Sequence, residues 1–170
     1  MNWRRIVGAG GVVLIAALVT RLIAAASAVQ SPAIGDRFPV QILVRSAATP
    51  VATSASRGGT VVIVVREGCA HCEWELTDLA GAMHRFPPAT RVLILELPSG
   101  VRFARPAGWD SLARQPNVTW SRVTEAAVAN AVGPVVTPLI FVLDSLDRVV
   151  AKYRGETSAS RIEQVVTARK

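Results

Sequence analysis

The apolar positions of this chain fall into continuous runs rather than strict alternation. Thr60 to Arg66 (TVVIVVR) and Arg91 to Leu97 (RVLILEL) are nearly unbroken, which is the pattern of strands covered on both faces. Between them a helix is predicted from about Cys69 to Phe86, stopped by Pro87-Pro88. Upstream, Phe38 to Val44 has strand character, and Ser46 to Gly59, rich in Ser, Thr, Ala and Gly, reads as a loop. Downstream, Pro98 to Pro116 is an irregular insert with a short helix at Ala107 to Arg114, and Val118-Thr119-Trp120 is a short strand. Val123 to Val132 suits a helix ended by Gly133-Pro134. Leu139 to Asp144 and Arg148 to Tyr153 read as strands joined by a tight turn, and Ser158 to Ala168 as a closing helix.

The order of these elements restricts the topology. Strand, helix, strand requires a parallel pair with a crossover, whereas the short Ser145-Leu146-Asp147 link forces an antiparallel hairpin. An α/β fold follows, with a mixed β-sheet flanked by helices in the thioredoxin-like layout.

The N-terminus has a different character. Asn2-Trp3-Arg4-Arg5 is a basic start, Ile6 to Val19 carries no charge, and after Thr20-Arg21 the apolar run resumes to Val29. This matches a secretory n-region and h-region, and Ala26-Ser27-Ala28 offers a cleavage site after Ala28. Read instead as one N-terminal hydrophobic helix, Ile6 to Val29 is long enough to cross a bilayer. Arg21 inside the span would cost about 2.5–3.5 kcal/mol. Residues 1–29 are thus a signal peptide or a signal anchor, and residues 30–170 the folded domain. In either case Arg4 and Arg5 stay cytoplasmic. The domain then faces the extracytoplasmic (periplasmic) side of the cell membrane, held by a single pass or released into the periplasm.

The formal net charge is +7, of which Arg4, Arg5 and Arg21 supply three, so the domain carries +4. Its cations are scattered, as at Arg102, Arg105, Arg114 and Arg122, with few aromatics between them. Nucleic-acid binding would need a dense basic stripe, so no nucleic-acid partner is expected.

The chain has two cysteines, in Cys69-Ala70-His71-Cys72. In an oxidising compartment such a pair tends to form a disulfide. The pair follows a buried strand and opens a helix, where unpaired backbone N–H groups favour a thiolate, the species that attacks disulfides. Cys69 is therefore the expected nucleophile. Cys72, one turn on, is the thiol that resolves a mixed disulfide. His71 can lower the thiolate pKa further and make the pair more oxidising. A purely structural disulfide gains little here, because a four-residue loop contributes little chain entropy. A zinc site from Cys69, Cys72, His71 and His84 lacks a second properly spaced ligand pair, so no metal is expected.

Around these residues the chain resembles the membrane-tethered thioredoxin-like proteins of the TlpA, ResA and MauD kind, related to the AhpC/TSA group. Ile34-Gly35-Asp36-Arg37-Phe38-Pro39 resembles the family's opening G-D-x-x-P, and Glu75 matches the acid of C-x-x-C-x-x-E. Val132-Gly133-Pro134-Val135-Val136-Thr137-Pro138 resembles G-V-x-G-T-P, its proline 66 residues after Cys72. The resemblance implies a cis Thr137-Pro138 bond that holds substrate backbone beside Cys69. It also implies Glu75 as proton acceptor for Cys72 if the helix turns it inward; otherwise Glu75 is a solvated acid favouring the helix dipole. Trp74 reads as packing. Three positions depart from the pattern: Glu67-Gly68 stands where many relatives have an aromatic, Ile63 where many thioredoxins bury a carboxylate, and Thr77 where proline is common.

The implied activity is thiol-disulfide exchange with client proteins through a redox-active Cys69–Cys72 disulfide and no other cofactor. A reductant in protein or cytochrome maturation fits best, recharged by an upstream membrane electron donor or acceptor. Two alternatives remain. One is a non-catalytic accessory or assembly factor that binds a partner through the same fold. The other is an AhpC/TSA-type peroxidase, against which Arg66 occupies the position of that group's Thr or Ser.

Overall fold

Alternate residues of the two apolar runs lie on opposite sides of one sheet and build two separate cores. The computed structural model describes residues 30–40, 43, 58–100 and 106–168, all but Gln30 within the unit Ser31–Lys170. The expected export segment, residues 1–29, and the expected loop up to Arg57 lie outside the described residues. Among the described residues no helix is long and apolar enough to cross a membrane.

The elements are β1 (Thr60–Arg66), α1 (Ala70–Ala82) running into a 3-10 turn (Met83–Arg85), β2 (Arg91–Leu97), α2 (Ala107–Ala113), β3 (Val118–Arg122), α3 (Glu125–Val132), β4 (Leu139–Leu143), β5 (Val149–Arg154) and α4 (Ala159–Thr167). The sheet order is β3-β2-β1-β4-β5. β1 pairs in parallel with β2, and β2 with β3, while β4 is antiparallel to both β1 and β5. The expected mixed sheet is therefore present, with β1 at its centre.

Val61, Ile63 and Val65 of β1 face one core with Val92 and Ile94; there Leu76 and Leu79 of α1, Trp109 and Leu112 of α2, and Ile162 and Val166 of α4 cover them. Val62 and Val64 face the other core with Leu93 and Leu95, covered by Val128 and Val132 of α3 and by Phe38, Val40 and Leu43. A three-layer sandwich results, with both faces of the central strands dry, as their unbroken apolar sequence requires.

The segment read as a strand at Phe38 to Val44 is different. Val40 and Leu43 are helical, and both are buried. Their spacing of three puts them on one helix face, and Pro39 just before them is suited to a helix start. The short apolar run was compatible with either periodicity, and packing on the sheet selects the helix. Upstream, Gly35 and Phe38 donate backbone hydrogen bonds to the carbonyls of Val149 and Asp147, so the linker fastens to the start of β5.

Two other boundaries moved. β3 extends to Arg122, two residues past its expected end, in parallel register with β2 up to Glu96↔Arg122. α3 begins only at Glu125, because Thr124 caps it by accepting the N–H of Ala127. In the β4–β5 turn, the Asp144 carboxylate accepts the N–H groups of Leu146 and Arg148, and Asp147 takes a left-handed φ of 59°.

Leu79 has no exposed surface and packs between helix and sheet, whereas Leu146 is 67% exposed at the hairpin tip. Leu79→Ala should lower unfolding free energy by about 2–5 kcal/mol and Leu146→Ala by less than about 0.5 kcal/mol, measured by urea denaturation.

Candidate active site

β1 ends at Arg66, and two further residues bring the chain to Cys69. Gly68 makes this turn with φ 72°, a backbone region that a side chain disfavours. Arg66 itself is held by an ion pair to Glu125 at the start of α3, 2.9 Å away. Cys69 then caps α1 from an extended conformation, its Sγ accepting the N–H of Cys72 at 3.2 Å. The sulfur of Cys69 thus sits where the first N–H groups of a helix converge, an electropositive position that favours a thiolate.

Cys69 and Cys72 are joined by a disulfide, with Cα atoms 5.2 Å apart. Their exposure differs sharply. Cys69 is half-buried, and Cys72, facing the core beneath α1, has no exposed surface at all. A molecule approaching from solvent meets Cys69.

The antiparallel pairing of β4 with β1 brings a distant segment to this sulfur. Val64, near the end of β1, pairs with Leu139, the first residue of β4. The two residues before Leu139 are Thr137 and Pro138, whose connecting peptide bond is cis. The Thr137 carbonyl oxygen lies 3.9 Å, and its hydroxyl 3.8 Å, from Cys69 Sγ. Pro138 is buried, while Val136 beside it is 57% exposed. Trp74, read as packing, is instead 49% exposed on α1, since its neighbours Cys72, Glu75 and Leu76 occupy the buried face.

Glu75 is turned inward. Its carboxyl group is buried, with Oε2 accepting the N–H of Thr157 at 2.7 Å and Oε1 left without a partner. Burial pushes its pKa up to about 7 from 4.5, against the hydrogen bond from Thr157, and the neighbouring carboxylates Asp78 and Glu156 add to the rise. On α1 it stands one turn after Cys72, on the same side of the helix. His71, by contrast, is exposed, and its Nδ1 meets the Glu156 carboxylate. Among the described residues it makes no hydrogen bond to either sulfur.

Ile63, where a carboxylate was noted as missing, is packed in the core with Cys72. Two other acids approach the redox loop without having been singled out from the sequence. Glu96 on β2 is buried, accepts the indole N–H of Trp120 at 2.8 Å and lies 3.5 Å from Nε of Arg122. Arg122 also binds Glu67, two residues before Cys69. The signal for Glu96 was available, since it is the single charge inside a buried apolar strand. For Glu156 there was none, because it lies 85 residues from His71 and only the fold joins them.

No protein-family model matches the sequence, and neither does any curated protein. Solved structures do resemble it. The thioredoxin domain of a thiol-disulfide oxidoreductase from Bacteroides vulgatus aligns with a TM-score of 0.54 and 18% identity, over 81% of this chain and 98% of that one. A DsbF homologue from Corynebacterium diphtheriae aligns at 0.52 and 17%, over 81% and 85%. An exposed lipoprotein thioredoxin from Streptococcus pneumoniae aligns at 0.52 and 13%, over 68% and 88%. At such identities the likeness establishes the fold, which is thioredoxin-like. Within that fold the chain carries a C-x-x-C disulfide at the start of α1.

The raised pKa of Glu75 has a defined consequence for stability. A carboxyl group whose folded pKa exceeds its unfolded value stabilises the fold fully below the unfolded value, and that contribution is lost as pH rises through the folded one. The oxidised protein should therefore lose stability between about pH 4.5 and pH 7, by up to about 3 kcal/mol. Glu75→Gln should flatten this loss, as read from urea denaturation at pH 5 and pH 8.

Proposed function

We propose that this protein is an extracytoplasmic thiol-disulfide oxidoreductase that exchanges its Cys69–Cys72 pair with cysteines of client proteins, acting as a reductant in protein or cytochrome maturation. The observation that carries this reading is the arrangement of the two sulfurs. A half-exposed Cys69 caps α1 with the Thr137 backbone beside it, and a fully buried Cys72 waits one turn behind. Structural staples do not require this asymmetry, and exchange chemistry does.

In the reducing direction, the Cys69 thiolate attacks one sulfur of a client disulfide. A new S–S bond forms to Cys69, and the client's other sulfur leaves as a thiolate. Cys72 then gives up its proton and attacks Cys69, closing the Cys69–Cys72 disulfide and releasing the second client thiolate. Two electrons pass to the client. Glu75, inward-facing and with a pKa near neutrality, is suited to take the Cys72 proton. Thr137 and Pro138 supply the backbone edge on which the client strand lies. To act again, the pair needs two electrons from a donor at the membrane. The basic and apolar N-terminal pattern supports delivery to that side, either as a single-pass protein or as one released after Ala28.

Two measurements test the reading. In the full-length protein, Cys72→Ser should accumulate a mixed disulfide with client protein and Cys69→Ser should form none, resolved on non-reducing gels. The reduction potential of the wild type should lie near −200 mV or below, in the range of glutaredoxins and thioredoxins; a value near −120 mV, that of a strong oxidant, would sink the assignment as a reductant.

A further inference from the structure

The loop between β5 and α4 is fastened to the redox helix at three points. Glu156 binds Nδ1 of His71, the N–H of Thr157 binds Oε2 of Glu75, and the N–H of Ala159 binds Oδ2 of Asp78 at 2.7 Å. His71, Glu75 and Asp78 are spaced four and three residues apart, so they form one stripe along α1. The start of α4 is anchored to the same side of the molecule, because Arg85, just after α1, binds Glu163 at 2.7 Å and Ser160 at 3.3 Å. On the other side of Glu156 the N–H of Gly155 binds the carbonyl of Pro138 at 2.9 Å, so Glu156 is carried on a loop held by backbone hydrogen bonds both before and after it.

His71 is the one side chain inside the C-x-x-C that can carry a positive charge, and a positive imidazole near Cys69 would stabilise the thiolate and so favour the reduced pair. Its ring is committed elsewhere. The side chain is 72% exposed, and its partner is the 45% exposed carboxylate of Glu156.

We propose that Glu156 is a positioning residue that draws the imidazole of His71 away from Cys69, and thereby keeps the pair more reducing than its Cys-Ala-His-Cys sequence would otherwise make it. This rests on the thiol-disulfide exchange reading and adds what sets the direction of that exchange. The carboxyl groups of Glu75, Asp78 and Glu156 line the stripe, and the negative charge among them opposes a thiolate unless His71 is free to offset it. With Glu156 neutralised, the imidazole is released and the field weakens. Both effects favour the reduced form, and only the first passes through His71.

The test is a double-mutant cycle on full-length protein equilibrated against reduced and oxidised glutathione, using wild type, Glu156→Gln, His71→Ala and the double variant. Glu156→Gln should shift the equilibrium toward the dithiol about threefold, the scale of one ion pair at the surface, which corresponds to a potential about 14 mV more positive. In the His71→Ala background the same substitution should have at most a small part of that effect. An unchanged equilibrium in Glu156→Gln overturns the proposal, and so does a shift of full size without His71, which would assign the effect to the carboxylate's field alone. Insulin reduction by the wild type is followed in parallel. Its failure would count against the exchange function, while the glutathione equilibrium, which needs only the cysteine pair, still reads the role of Glu156.

Discussion

The antiparallel pairing of β4 against β1 is the constraint on which the rest of this site depends. β1 delivers Cys69 just beyond its C-terminal end, and β4 can place its own N-terminal end beside that point only by running the opposite way. Had β4 been added in parallel, Thr137 and Pro138 would lie at the far edge of the sheet, a strand length away. The register Val64↔Leu139 fixes the meeting to within a residue. A one-residue slip would send Ile140 and Val142 into the opposite core, so the dry interior on both sides of the sheet enforces the geometry at its rim.

The same end of the sheet collects buried acids. Glu75 and Glu96 are both nearly inaccessible, and both are on the face covered by α1, α2 and α4. They are satisfied differently. Glu96 has an indole N–H and a guanidinium within reach, and its neighbour Arg122 extends to Glu67 in the loop before Cys69. Glu75 has one backbone N–H and an oxygen with no partner among the described residues, and its burial, only partly offset by that hydrogen bond, raises its pKa to about 7. The proton-transfer role proposed for Glu75 draws on that raised pKa, whereas Glu96, close to a guanidinium that also binds Glu67, lies in a network that reaches the loop before Cys69.

The central strands, the helix carrying the cysteines, the hairpin and the closing helix were legible because their physical causes are local. Buried β-branched runs, a proline stop after Phe86 and a turn of Ser145-Leu146-Asp147 each act within a few residues. The helical state of Val40 and Leu43 was not legible, since a run that short satisfies either period and its packing partners lie far along the chain. At the site, the fold joins Cys69 to Cys72 and sets the cis Thr137-Pro138 bond beside Cys69, segments that the spacing and the resemblance had singled out separately. Glu75 had two readings that the sequence could not separate, because the direction a helical residue faces depends on what packs against it. His71 was expected to serve Cys69, and its actual partner became visible only when β5 brought residue 156 alongside.

The complete burial of Cys72 has a consequence for how the centre meets oxidants. In the reduced protein a diffusing oxidant would meet Cys69 before the buried Cys72, and a sulfenic acid formed there would have a second thiol next to it. Condensation with Cys72, releasing water, would return the pair to the disulfide and leave no sulfenic acid for a second oxygen to add to. The core that Cys72 shares with Ile63, Leu76 and Ile140 would then act as a safety stop, holding oxidation at the step of the ladder that ordinary thiols can reverse.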